Sequence, residues 1–355
     1  MKKRNKIQPA VMTLVMNTNT EATFASPSRN YIDLSQIASV VNRRFYRQGL
    51  NWAVAGFKVA SVGNSFSNAN KSVPGTVRVC KLPNTWVTSN AWEKAFRMWN
   101  KQQMEAVDDA GAESTVAKFR DFKVFMETKH VSDYVAAGED LNATNLLPFA
   151  AGVPGTPNPI ATGGEWQPSQ IVIPNELPDA SSSEIDPAEY VLHMVGDNSF
   201  AVVSPNFEGS KGVLEGYADS RAYPQSPDPV SPSPASAANW MRLMFDVGND
   251  NADVLANVSD RNDELPYPQV NYPGGENQLD ELQLHDFVTI FESNTTNGFS
   301  VQRLKGGNFP CGLIAVDFFP ADLGNPELEA SLVTIQIDLV PGNHRGYLCE
   351  PMTEM

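Results

Sequence analysis

The feature that most constrains this chain is the way its alternating segments are joined. Ser331–Leu339 reads SLVTIQIDL, with Val333, Ile335, Ile337 and Leu339 on one side and Leu332, Thr334, Gln336 and Asp338 on the other. A two-residue period of this kind marks a strand with one face buried. Similar runs occur at Val11–Met16, Asn51–Val59, Gly75–Leu82, Phe122–Thr128, Gln170–Ile173, Tyr190–Val195, Trp240–Val247, Leu284–Glu292, Phe299–Leu304 and Gly312–Phe319. Long, irregular stretches connect them where a parallel α/β protein would have regular helices. That pattern predicts an all-β, antiparallel β-sandwich with long loops and a few short helices.

Tyr31–Val62 holds two codes in succession. Asp33 can cap a short helix whose Leu34, Ile37, Val40 and Val41 share a face. Arg43, Arg44 and Arg47 crowd its C-terminal end, where cations suit the helix dipole, and Gly49 is placed to end it. From Asn51 the period becomes two, with Trp52, Val54, Gly56 and Lys58 opposite Ala53, Ala55, Phe57 and Val59. The arginines read either as a solvated helix end or as a surface that meets phosphate or an acidic neighbouring subunit. A stronger helix follows at Asn90, where Asn90 and Glu93 fit a capping box and Trp92, Ala95, Phe96 and Trp99 line one face. That face reads as core, and the helix should decay near Asp108–Gly111.

Charge is divided along the chain. Residues 1–129 carry a net +10 and residues 130–355 a net −25. If the fold separates them, one face attracts polyanions and the other repels them. Lys2, Lys3, Arg4 and Lys6 form a short basic arm, which also fits a nuclear-targeting signal. Residues 1–30 are expected to hold this arm and a first strand, and residues 31–355 one β domain. Proline-rich loop insertions are expected at about 133–187 and 217–238.

Signatures of catalysis are missing. No G-x-S-x-G, Walker A, H-E-x-x-H or C-x-x-C pattern occurs, and Gly274–Gly275 and Gly306–Gly307 are expected in loops without a following helix. His130, His193, His285 and His344 are scattered, as are Cys80, Cys311 and Cys349, which fits neither zinc nor a disulfide framework. No run is long and apolar enough to span a bilayer, and an intracellular origin is the default expectation. The one candidate cation site is FDVGNDNADV, where Asp246, Asp250 and Asp253, with Asn251, offer oxygen ligands suited to calcium (Ca2+).

Three segments carry a resemblance. YIDLSQIASVVNRRFYRQGLNWAVAGFKV and LPNTWVTSNAWEKAF resemble the N-terminal half of capsid proteins from small circular, Rep-encoding single-stranded DNA viruses (the CRESS DNA virus group). LVPGNHRGYLCEPMTEM looks like the C-terminal end of the same group. The resemblance implies a single jelly roll that self-assembles into an icosahedral shell around single-stranded DNA. It also implies a virion localisation, with assembly inside the host cell or its nucleus. Partners would be further copies of the chain, the DNA and a host-cell receptor, with no membrane and no enzyme activity. Members of such families often begin with a long Arg/Lys-rich arm, and this chain has only Lys2, Lys3, Arg4 and Lys6. Contact with the genome would be sequence-independent and electrostatic, through those residues and through Arg43, Arg44 and Arg47. Two rival readings stand beside it. One is a carbohydrate-binding or carbohydrate-cleaving β-sandwich using Trp166, Trp240 or Tyr272; the other is a non-viral structural or adhesive module.

Overall fold

The structure is a computed structural model that describes residues 9–18, 22, 27–63, 74–116, 118–148, 163–173, 188–222, 282–291, 301–321 and 331–355. Two antiparallel sheets form its centre. The first contains β1 (Thr13–Asn17), β13 (Ser331–Leu339), β3 (Leu50–Gly63) and β11 (Gln302–Phe309) in that order, with β16 (Cys349–Pro351) also on β3. The second runs β10 (Gln283–Ile290), β4 (Gly75–Lys81), β12 (Leu313–Pro320) and β2 (Ser28–Asp33). Their facing sides share one core, in which Leu14, Phe57, Val59, Ile335 and Ile337 of the first sheet meet Val77, Val79, Ile314, Val316 and Phe318 of the second. The alternation of Ser331–Leu339 is realised as expected, with Val333, Ile335, Ile337 and Leu339 buried.

The alternation of β3 departs from expectation. Trp52 and Val54 are buried, and so are Phe57 and Val59. Pairing with β13 shifts between Asp338 and Leu339, which face Gly56 and Val54. Ala55 is the extra residue of a β-bulge, and the bulge returns the next side chains to the same face. The partner strand explains Gly306. A Cβ there would lie 2.2 Å from the Val54 carbonyl oxygen and 2.3 Å from that of Ala55. Gly306 and Gly307 therefore sit inside β11, not in a loop.

Between β4 and β10 lies a large insertion. It holds α2 (Trp86–Asp109), β5 (Phe125–Glu127), α3 (Thr128–Ala136), α4 (Leu141–Thr144), β6 (Gln170–Ile173), β7 (Ala188–Val195), β8 (Ser199–Ala201), β9 (Gly209–Gly212) and α5 (Val213–Ala222). Its strands make a third sheet, β5-β7-β9-β8 with β6 on β7, and β7 pairs in parallel with both β5 and β9. The expectation of short helices fails here, because α2 has 24 residues. Thr85 caps it through the Thr88 amide, a turn before the expected Asn90, since the apolar face already begins at Val87 and Ala91. Trp92, Ala95 and Trp99 then cover the outer face of the second sheet at Tyr31, Cys80, Leu313 and Ala315. Burial of each such indole stabilises by about 2–3 kcal/mol.

Four further expectations need correction. The boundary placed at residue 30 falls inside β2, and the stretch from 133 holds, besides the strand expected at Gln170–Ile173, the end of α3 and the whole of α4. The start of the 217–238 stretch belongs to α5. Helix α1 (Leu34–Asn42) is capped by Asp33 as expected, but it ends at Arg43, in the left-handed region at φ 54°, and not at Gly49. Gly49 is required for a different reason, since a Cβ there would meet the Trp92 ring at 2.4 Å. The strand expected at Trp240–Val247 and the helix at Asn251–Val258 lie outside the described residues.

A polar joint binds the insertion to the sandwich. Arg29 on β2 donates from Nε and Nη2 to the two Asp317 oxygens at 2.7 and 2.9 Å. Its Nη1 donates to both Glu127 oxygens at 2.8 and 3.0 Å. Asp317 also accepts from Arg78 at 3.1 Å, and Glu127 accepts from the Tyr31 hydroxyl. Tyr31 stacks on His130, with centroids 4.1 Å apart. His130 is buried and bonds Asn145, and burial pushes its pKa down to about 3, so it stays neutral. Among the described residues no helix is long and apolar enough to cross a membrane. The three cysteines are free.

Candidate nucleic-acid interface

The arginines at the end of α1 are held by specific anchors. Asn42 closes the helix, with its side-chain amide donating to the Ala38 carbonyl at 2.9 Å. Ser39 Oγ accepts the Tyr46 amide at 2.9 Å and so folds residues 43–46 back on the helix. Tyr46 is fully buried against Trp52 and Tyr347. With that ring as the peg, Arg43, Arg44 and Arg47 are left exposed. The Gln48 amide donates to Asp121 at 3.0 Å, and the Gln48 side chain bonds Val124 and Asp33, which fixes the far end of the turn.

Two other segments of the insertion meet this turn. Residues 118–123 bring Lys118, Phe119, Arg120 and Lys123, and residues 165–166 bring Glu165 and Trp166. Phe45, Phe119 and Trp166 form a row, with Phe45 5.2 Å from Phe119 and 6.4 Å from Trp166 between centroids. Each ring carries a cation. Arg47 lies 5.8 Å from the Phe45 centroid, Lys118 5.7 Å from that of Phe119, and Lys123 4.2 Å from that of Trp166. Trp166 is held by its indole N–H, which donates to Asp33 at 3.0 Å, so the residue that caps α1 also sets the floor of this row. The rings and arginines line a cavity of about 460 Å³. Phe119 also borders a second cleft, of about 490 Å³, together with Met104 and Arg120.

Electrostatics at this corner favour anions. Among the described residues, Arg43, Arg47, Lys118, Arg120, Lys123 and Arg345 enter no ion pair with a carboxylate. Arg345 reaches in from the C-terminal segment and donates to the Phe45 carbonyl. Arg47 donates to the Arg120 carbonyl at 3.1 Å, and the Arg120 guanidinium lies over Trp99 at 4.3 Å. Burial and the neighbouring Arg47 lower the Arg120 pKa. Burial likewise lowers that of Lys123, against the pull of Asp121 and Asp33. Asp121 is pushed up to about 6 by burial, against the Gln48 amide, Lys123 and Arg47. Glu165 is the exposed carboxylate lining the cavity.

The structure brings Arg43, Arg44 and Arg47 together with four cations that sequence reasoning does not reach: Lys118, Arg120, Lys123 and Arg345. A signal for most of them is present, because RRFYR at 43–47 and KFRDFK at 118–123 both interleave cations with aromatics. Lys2, Lys3, Arg4 and Lys6 lie outside the described residues. The chain enters the described structure beside this corner, where the Val11 amide donates to Asn42 Oδ1 at 3.0 Å and Tyr347 donates to the Val11 carbonyl at 2.7 Å. Asp246, Asp250, Asn251 and Asp253 also lie outside the described residues, as do Trp240 and Tyr272. No cluster of potential metal ligands occurs among the described residues. Trp166 is buried and hydrogen-bonded, so it is no open platform for a sugar. Comparison with known proteins finds no family model that matches the chain, no curated protein similar to it and no solved structure that resembles it.

Proposed function

We propose that this chain is a viral coat protein, a jelly roll that self-assembles into a closed shell around single-stranded DNA. The fold part rests on strand order. Leaving aside the short β16, the eight sandwich strands among the described residues stand, counted along the chain, first–eighth–third–sixth in one sheet and fifth–fourth–seventh–second in the other, all antiparallel. Two interlocked Greek keys produce that order, the arrangement of a jelly roll. Self-association is supported by the edge strand β10 and the residue after it, where Leu284, Phe287 and Phe291 are 50, 60 and 67% exposed.

The single observation that carries the nucleic-acid part is the convergence of cations from three separate segments on one corner. The chain that bears Lys2, Lys3, Arg4 and Lys6 joins the sandwich beside it. Contacts made there are to phosphate and carry no base sequence. The test uses the full chain. Purified protein, viewed by negative-stain microscopy, is expected to form uniform closed particles that contain nucleic acid. The triple variant Arg43→Gln/Arg44→Gln/Arg47→Gln should lower the salt dependence of oligonucleotide binding by about two in log–log slope, at about 0.7 per lost contact. A protein that stays monomeric under every assembly condition and binds no DNA at low salt would refute the reading.

A further inference from the structure

We propose that the corner at Phe119 holds unpaired bases by stacking, which makes the contact selective for single strands. This rests on the nucleic-acid reading above and deepens it. Electrostatic attraction alone would not distinguish a single strand from a duplex by the faces of its bases. The ring row supplies a second kind of contact.

Trp166 is buried and Phe45 half-buried, while Phe119 at the end of the row is 60% exposed. Phe45 and Phe119 already touch, at 5.2 Å and 55°, so no base fits between them. A base can instead continue the row on the open side of Phe119. Its phosphates would then lie among Arg47, Lys118, Arg120 and Lys123, which come from the two segments flanking the rings. Lys118 lies over the Phe119 ring on a long flexible stem and can yield that face at little cost. An exposed phenylalanine ringed by cations is a poor protein-docking core, because such cores are depleted in charge. It fits the stacking platforms of single-strand binders, which pair aromatic rings with a positive groove. Paired bases in a duplex keep their faces covered and cannot use it.

The test is fluorescence anisotropy on the full chain with three probes: labelled dT12, a duplex of equal length, and an abasic 12-mer with the same phosphates. Wild-type protein is expected to bind dT12 at least about fivefold more tightly than the abasic strand, the lower end of one base stacked on one ring. Phe119→Ala should remove that difference by bringing dT12 binding down to the level of the abasic strand, while Phe119→Tyr should retain it. Phe119 is exposed, so its truncation leaves the core intact. Equal binding of dT12 and the abasic strand, or no loss in Phe119→Ala, would overturn stacking while leaving the phosphate contact standing. Failure of all three probes to bind at low salt would remove the nucleic-acid reading itself, and stacking with it.

Discussion

Replacing Arg29 by methionine tests whether the joint between sandwich and insertion is a buried charge network. The methionine keeps much of the stem and removes four hydrogen bonds and the positive charge. The two carboxylates it leaves are unequally placed. The Asp317 side chain, 2% exposed, still has Arg78 at 3.1 Å. Among the described residues, the Glu127 side chain, 6% exposed, retains only the Tyr31 hydroxyl, an uncharged donor. Removing one member of a buried pair costs about 3–5 kcal/mol, because the partner's charge stays desolvated. Arg29 is itself 27% exposed, so the lower end of that range applies. Most of the loss should come from Glu127. The double variant Arg29→Met/Glu127→Gln is therefore expected to recover more stability than Arg29→Met/Asp317→Asn. Urea titrations followed by tryptophan fluorescence on unassembled protein measure all four. An Arg29→Met variant within 1 kcal/mol of wild type, or equal rescue by both second changes, would refute this account of the joint.

Three other outcomes are expected. Asp121 is held near pKa 6 by burial, so its native state binds the proton more tightly than the unfolded chain does; the stability it contributes, at most about 3 kcal/mol, is present in acid and lost as pH rises from 3.8 through 6. Protonating it also removes a negative charge beside Lys123 and Arg47, so oligonucleotide binding should tighten between pH 7 and 5, and Asp121→Asn should flatten that dependence. His130 and His193 are kept neutral by burial, at about 3 and 4, so each lowers stability by about 1.4 kcal/mol per pH unit as pH falls below 6.5, a slope that His130→Asn should reduce in urea midpoints across that range. Arg43→Gly relieves a left-handed residue, so it should raise stability by about 1 kcal/mol in the same titrations while weakening DNA binding, opposite signs that a purely structural role would not give.

Two inner strands of the sandwich, β4 and β13, are legible in the sequence because single-residue alternation survives there. Legibility fails where the structure breaks its own period. The bulge at Ala55 reverses the pattern within β3, and no local signal marks it, because Gly306, which makes room for it, is 251 positions away. β2 is hidden because its six residues run directly into the Asp33 cap, which is the stronger signal. The role of Gly49 is hidden too, because a glycine after a helix reads as a cap, and only the fold brings Trp92 against it. At the corner, the arginines are visible as a cluster, yet the aromatic row needs three segments that only tertiary structure assembles. The separation of acidic and basic charge by face falls largely on residues outside those described.

The insertion has a consequence for how the protein reaches its native state. β4 and β10 are neighbours in one sheet, yet 201 residues separate Lys81 from Gln283. Closing that loop as a free coil costs about 3.5 kcal/mol more than closing a hairpin of four residues. Leu82 and Leu282, at its two ends, are buried in the same cluster. Once the insertion has folded, those ends are already neighbours and most of that entropy is spent. The second sheet therefore depends on the unit that interrupts it, and a nascent chain lacking a folded insertion would leave β10 without its partner and open to pairing with another copy.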